Sequence, residues 1–259
     1  KMLELYNQNL ETKVKEETAK RVETERALIQ QSKMALMGDM IGAIAHQWRQ
    51  PLNALGLYVQ DVPQSYKAGE LDEKYLERFK TEAMNIIQSM SRTIDDFRNF
   101  FAPNKTKQTF CIEDAIDETL RIVSVQMNNY YIDIRFDKGE PHYITGYKNE
   151  LEQVFLNLLS NSKDALLEKK RDTMFIHIKV KERNDNIEIL FEDSAGGIAE
   201  GVIERIFEPY FTTKEQGKGT GIGLYMSKEI IERHLHGKIS VSNGEHGAVF
   251  LIELPIFSK

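Results

Sequence analysis

Two stretches of this chain repeat one spacing of apolar residues, and that repetition constrains the fold more than any other feature. Met37, Ile41, Ile44, Trp48, Leu52, Leu55 and Val59 step by 4, 3, 4, 4, 3, 4, and Phe79, Ala83, Ile86, Met90, Ile94, Phe97 and Phe101 step identically. At about 100° per residue, each set draws one stripe down one side of an α-helix. Pro63 and Gly69 mark a connection between them, at residues 61–71. Two matched stripes joined in this way predict an antiparallel helical hairpin. A lone hairpin leaves each stripe half exposed, so two copies are expected to pair into a four-helix bundle, and the chain into a homodimer.

His46 stands about 150° from the centre of the first stripe on a helical wheel. Asp39, Gly42, Arg49, Gln50 and Asn53 share that outward side. The phase turns the imidazole to solvent rather than to the core. Pro51 removes the bond from its own amide to the carbonyl of Gln47 and crowds that carbonyl, which predicts a bend just after His46. Upstream, residues 1–36 are helix formers without Gly or Pro, and Leu3, Tyr6, Leu10 and Val14 give a loose seam. A weak coiled coil is expected there, continuous with the hairpin helix to about Gln60.

With 259 residues there is room for two domains. The chain begins with Lys, and is expected to be a piece of something longer. A net charge of −6 supplies no basic footprint, which weighs against nucleic acid as a partner. There is no apolar run of membrane-spanning length and no signal-peptide pattern. Cys111 is the single cysteine, so no internal disulfide forms, and no Cys/His cluster has metal-ligand spacing. A reducing, cytoplasmic compartment fits, with Cys111 as a packing residue.

After a linker at 102–108 the pattern changes. TFCI, YIDIRF and HYITGY read as short strands. MFIHIKVKE and NIEILFED alternate around Asn184 to Asn186, and KISVSN and GAVFLIEL around Gly244 to Gly247. Helices are expected at 113–128, 149–170 and 221–236. The fold class is therefore α+β and multidomain: a coiled coil (1–36), a helical hairpin (37–101), a linker (102–108) and an α/β sandwich (109–259) with helices over one face of a sheet.

Three clusters in the sandwich carry chemistry. In LEQVFLNLLSNSKDALL, Asn157, Asn161, Asp164 and Glu168 line a polar stripe, with Asn161 nearest the apolar margin. Asparagines inside a helix cost propensity and ask for a reason, although an ordinary solvated face is equally compatible. In FEDSAGGI, Asp193 ends a strand before Gly196 and Gly197, where a carboxylate accepts from a ligand amine while bare backbone approaches closely. In FEPYFTTKEQGKGTGIGL, alternating glycines open a helix and offer amides to phosphate, with Lys214 and Lys218 adding positive charge. The Walker pattern is missing.

In this order, the motifs resemble the sensor histidine kinases of two-component signalling. AHQWRQPL resembles the H box, NLLSNSKDA the N box, DSAGG the first glycine box, FEPYF the F box and GKGTGIGL the second glycine box. The resemblance covers nearly all of residues 37–259. It implies a dimeric helical hairpin followed by a Bergerat-type ATP-binding domain, with ATP and Mg²⁺ as cofactors and a response-regulator receiver domain as partner. His46 would be the phosphoacceptor, Asn161 the metal residue, and Asp193 the acceptor of the adenine amine. Gly196 and Gly197 would shape the pocket, and Gly219, Thr220, Gly221 and Gly223 the hinge over the phosphates. Asn157 and Lys214 would neighbour phosphate or metal, while Phe207 and Phe211 pack beneath. Gln50, where relatives carry Thr or Asn, would serve dephosphorylation of the regulator.

Three positions depart from the family pattern. The commonly acidic residue after the histidine is Gln47, the first glycine of DxGxG is Ala195, and Asp164 stands where many relatives carry Lys. Two alternatives to a kinase stay open: another ATPase of the same nucleotide fold, and a degenerate dimerisation scaffold. An exposed histidine before Pro-Leu on a matched hairpin separates the kinase from the first. The chain is expected in the cytoplasm, downstream of a sensor or membrane segment.

Overall fold

A computed structural model describes residues 2–101, 106–169, 173–214 and 220–256. The side chains of His46, Gln47, Ile44, Phe97 and Phe101 lie outside the described residues, as do Gly217, Lys218 and Gly219.

Helix α1 runs from Met2 to Ala68 and α2 from Glu73 to Phe101. The hairpin expectation holds, but its turn is shorter than expected: α1 passes through both Pro51 and Pro63 and ends only at Ala68. A side-chain network explains the extension. The hydroxyls of Tyr75 and Ser65 donate to the Asp61 carboxylate at 2.8 and 3.3 Å, fastening the last turns of α1 to the first of α2. The helix then stops on Gly69 in the left-handed region, φ +75°. There the amides of Gly69 and Glu70 bond back to the carbonyls of Tyr66 and Ser65, closing a Schellman motif. Asp72 begins α2 by accepting the Tyr75 N–H at 2.7 Å. Within the single chain Ile41, Leu52 and Val59 are more than half exposed while Trp48 and Leu55 are partly buried, so the α1 stripe is only partly covered.

The rest of the chain forms two sheets with helices. Strands β1 (Gln108–Cys111) and β3 (Tyr143–Gly146) pair antiparallel as a small sheet, so β1 begins inside the segment read as linker. The main sheet has the order β2-β4-β5-β7-β6: Asp133–Asp137, Phe175–Arg183, Asn186–Asp193, Ala248–Pro255 and Lys238–Asn243. The pairing of β2 with β4 is parallel and the others are antiparallel. Alternation along the strands puts one face inward. Ile176, Ile178, Ile189, Phe191, Phe250 and Ile252 bury that face under α3 (Ile112–Asn129) and α4 (Lys148–Lys169). Phe155 of α4 meets Phe191 of β5 with ring centroids 5.5 Å apart.

The β4–β5 turn falls where expected, with Asn184 and Asp185 both at positive φ, as a tight hairpin requires. The helix expected at 221–236 is shorter and changes type. A short α5 (Glu200–Ile203) comes first, α6 spans Gly223–Glu229, and Ile230–His234 is a π-helical turn. The wider turn lets Ile230, Ile231 and Leu235 all enter the core.

Candidate functional site

The site is built on the end of β5. The Asp193 carboxylate is only 3% exposed and carries three donors. Oδ1 accepts the N–H groups of Ala195 and Ala248 at 2.9 and 3.2 Å, and Oδ2 accepts the Ser162 hydroxyl at 3.2 Å. Burial pushes the carboxyl above its ordinary range, while Ala195, Ala248 and Ser162 pull it back.

The loop after Asp193 is welded to the β6–β7 turn. Gly196 and Gly197 take φ of 85° and 84°, which only glycine adopts freely. The Asn243 amide brackets the loop, accepting from the Ile198 N–H and donating to the Ile198 carbonyl, both at 2.8 Å. Any Cβ on Gly197 would stand 2.7 Å from Asn243 Oδ1. Ala195 is buried and has no positive φ, so a methyl is tolerated where the family pattern has glycine.

Helix α4 forms one wall. Asn157 is buried and donates from Nδ2 to the Ser227 hydroxyl at 2.9 Å, which in turn donates to the Gly223 carbonyl at 3.1 Å. Asn161, one turn on, is half-buried. The wheel put Asn161 nearest the apolar margin, but Asn157 lies deeper, because α6 covers α4 at that turn as well as the sheet does. Asp164 pairs with Lys214 at 2.5 Å and stands 3.2 Å from Lys163. Lys214, read as a phosphate neighbour, therefore holds an acidic partner from α4.

The glycine-rich segment closes the far side. Gly221, at φ +64°, sits so near the Tyr210 turn that an added Cβ would be 2.6 Å from the Tyr210 carbonyl oxygen. The Thr220 hydroxyl accepts the Ile222 N–H at 3.4 Å. Phe207 and Phe211 are partly buried against the core, with Lys228 and Arg205 over their rings. Gln50 is exposed on α1.

The structure adds site residues that the motifs do not single out: Ser162, Ser227, Asn243 and Gly247. Gly247 packs against the Asp193 carbonyl and carboxylate so closely that a Cβ would overlap both. Its position in a Gly-rich hairpin turn was the only available signal. Among the described residues, no three His, Cys, Asp or Glu side chains gather as a metal site.

Residues 146–257 match the family of histidine kinase-, DNA gyrase B-, and HSP90-like ATPases. The two-component sensor PprA of Pseudomonas aeruginosa is 29% identical over 90% of this chain and 26% of its own length. Sporulation kinase A of Bacillus subtilis is 30% identical over 92% of this chain and 38% of its own. Among solved structures, the catalytic domain of the histidine kinase ThkA superposes with a TM-score of 0.51 and 30% identity, covering 57% of this chain and 95% of that one. The chain belongs to the sensor histidine kinases. It spans between a quarter and two fifths of the length of the two curated relatives, at 26% and 38%. In a sensor histidine kinase the α/β sandwich is the ATP-binding catalytic domain, and Asp193 lies within the matched span. No described helix is long and apolar enough to cross a membrane.

Proposed function

We propose that this chain is the core of a homodimeric protein histidine kinase that phosphorylates its own His46 from ATP and passes the phosphoryl group to an aspartate of a response regulator. The observation that carries the reading is the buried Asp193 carboxylate, whose Oδ2 has a single donor among the described residues and keeps capacity for a ligand amine. Glycines 197, 221 and 247 each lie so close to the protein's own atoms (Asn243, the Tyr210 turn and Asp193) that a Cβ would clash, which fixes the loops around that carboxylate.

The residues fit ATP. Asp193 would take the adenine amine, Gly196 and Gly197 would shape the pocket, and Gly219, Thr220, Gly221 and Gly223 would hinge over the phosphates, with Asn157 and Lys214 as neighbours. With no acidic cluster among the described residues, a Mg²⁺ would be held by phosphate oxygens and the Asn161 side-chain carbonyl. When bound, the ion would spread charge over the transferring group.

The neutral imidazole of His46 would attack the γ-phosphorus through one ring nitrogen, forming a P–N bond as the bond to the bridging oxygen breaks and ADP leaves, and the proton on the other ring nitrogen then passes to solvent. Only the neutral form of an imidazole carries the lone pair that attacks. Gln47 would accept the other ring N–H and fix the tautomer. The exposed Ile41, Leu52 and Val59 of the α1 stripe support pairing of two hairpins into a bundle.

Incubation with γ-labelled ATP tests the reading. Acid-labile, alkali-stable label is expected on the wild type and none on His46→Ala; label retained by that variant would reject the assignment.

A further inference from the structure

We propose that Ser162 is a purine-selecting positioning residue, whose hydroxyl holds the Asp193 carboxylate so that Oδ2 meets the 6-amino group of adenine. This rests on the reading of the Asp193 cleft as the seat of an adenine base, and adds a residue to it.

The two oxygens of Asp193 are not equivalent. Oδ1 accepts two backbone N–H bonds, from Ala195 and Ala248, and these fill its in-plane lone pairs. Gly247 backs against the same oxygen so closely that a Cβ would overlap it. Ligand atoms are therefore left Oδ2, which among the described residues accepts from Ser162 alone. Two backbone donors anchor one end of the carboxylate, and the Ser162 hydroxyl anchors the other and sets the plane in which the remaining lone pair points.

Ser162 is itself fixed. It is 5% exposed on α4, directly after Asn161, so a single turn of helix sets both the metal residue and the base-recognition residue. Its one proton is given to Asp193, which leaves lone pairs on the rest of the hydroxyl. Oδ2 and the Ser162 oxygen thus stand 3.2 Å apart as two acceptors. An exocyclic amine satisfies that pair. The 6-oxo group of guanine would bring a third acceptor against them with no proton to share, which polar sites reject strongly.

Calorimetric binding of three nucleotides to the whole chain tests this: ATP, purine-riboside triphosphate, which lacks the 6-amine, and GTP. Ser162→Ala is expected to weaken ATP roughly threefold to tenfold, as loss of one buried hydrogen bond does, and to leave purine-riboside triphosphate unchanged. The preference for ATP over that analogue should shrink by the same factor, and discrimination against GTP should shrink with it. ATP binding by Ser162→Ala should also fail at a higher pH on the acid side, because Asp193 loses a donor that keeps it ionised. Equal weakening of ATP and the analogue, or an unchanged preference, would overturn the role of Ser162. A different result would reject the adenine reading itself: no wild-type preference for ATP over the analogue, or a preference that survives Asp193→Asn.

Discussion

Asn157 and Ser227 are joined at 2.9 Å across the seam between α4 and α6, and Gly223 stands where it does because of them. Any Cβ on Gly223 would run into Asn157 Oδ1 and lie 3.0 Å from its Cγ. The bond and the missing side chain together hold the glycine-rich segment against the N-box helix.

Gly223→Ala should therefore destabilise the protein, although alanine is the better helix former. Overpacking at a fixed contact costs about 1–3 kcal/mol, and nucleotide affinity should fall with it. Thermal melts of Gly223→Ala, Asn157→Ala and the double variant check the mechanism. Removing the Asn157 amide relieves the clash, so the double variant should lose less than the two single losses added together. Full additivity would place the cost elsewhere.

A second buried cluster predicts acid sensitivity. Glu113 is fully buried at the start of α3. Its carboxylate accepts the backbone N–H of His142 at 2.9 Å and the Cys111 thiol at 3.1 Å, and lies 2.7 Å from His142 Nδ1. Burial alone would raise its pKa, but these bonds outweigh burial and hold it below the usual carboxylate range. A depressed folded pKa stabilises above the unfolded value, near 4.5, and that contribution is lost as pH falls through the folded pKa. Glu113→Gln should lower stability at neutral pH and flatten its decline below pH 4.5, read by denaturant titration across pH. The Cys111 thiol, pushed up chiefly by burial, behaves as the packing residue its sequence suggested.

Glu152 predicts the opposite slope. It is 4% exposed on α4, with Lys148 3.6 Å away, and its pKa is raised to about 7, first by burial and also by Glu118. Folding must discharge or desolvate this group, so stability is fullest below its unfolded value near 4.5 and falls as pH rises through about 7. Glu152→Gln should match the wild type only below about pH 4.5 and exceed it by roughly 1–3 kcal/mol at pH 8–9. Parallel stability curves for the two proteins would exclude the carboxyl as the cause.

Much of this fold is visible in the residue pattern, and what is hidden is hidden for physical reasons. The alternation in β4, β5 and β7 and the matched stripes of α1 and α2 are local periodicities, and each appears where the pattern puts it. The parallel pairing of β2 with β4 and the small β1–β3 sheet join distant segments, which no local period encodes. Pro63 looked like a boundary because proline costs a helix bond; the Asp61–Tyr75 network beside it overrides that cost. In the site, Asp193 and the glycines stand out by type and spacing. Ser162, Ser227 and Gly247 do not, since a small residue carries no signal until its neighbour across the cleft is known.

The residues beside His46 give the last prediction. Gln47 cannot take a proton at neutral pH, so on the proposed reading it would supply only the orienting half of an acid–base role, its carbonyl accepting the imidazole N–H. Gln47→Glu adds a carboxylate that orients and also accepts the proton, and labelling of His46 should be faster, by about tenfold or more on the scale of general-base catalysis. Gln50 is exposed one helical turn beyond His46, where its amide can position a water against a regulator's phosphoaspartate. Gln50→Ala should then slow dephosphorylation of the regulator while His46 is labelled at the wild-type rate. The two activities are measured separately, on the chain alone with ATP and on phosphorylated regulator with ADP. Equal dephosphorylation by wild type and Gln50→Ala would leave Gln50 an ordinary solvated residue, and a loss of both activities would mark it as part of the acceptor helix's structure rather than of a water site.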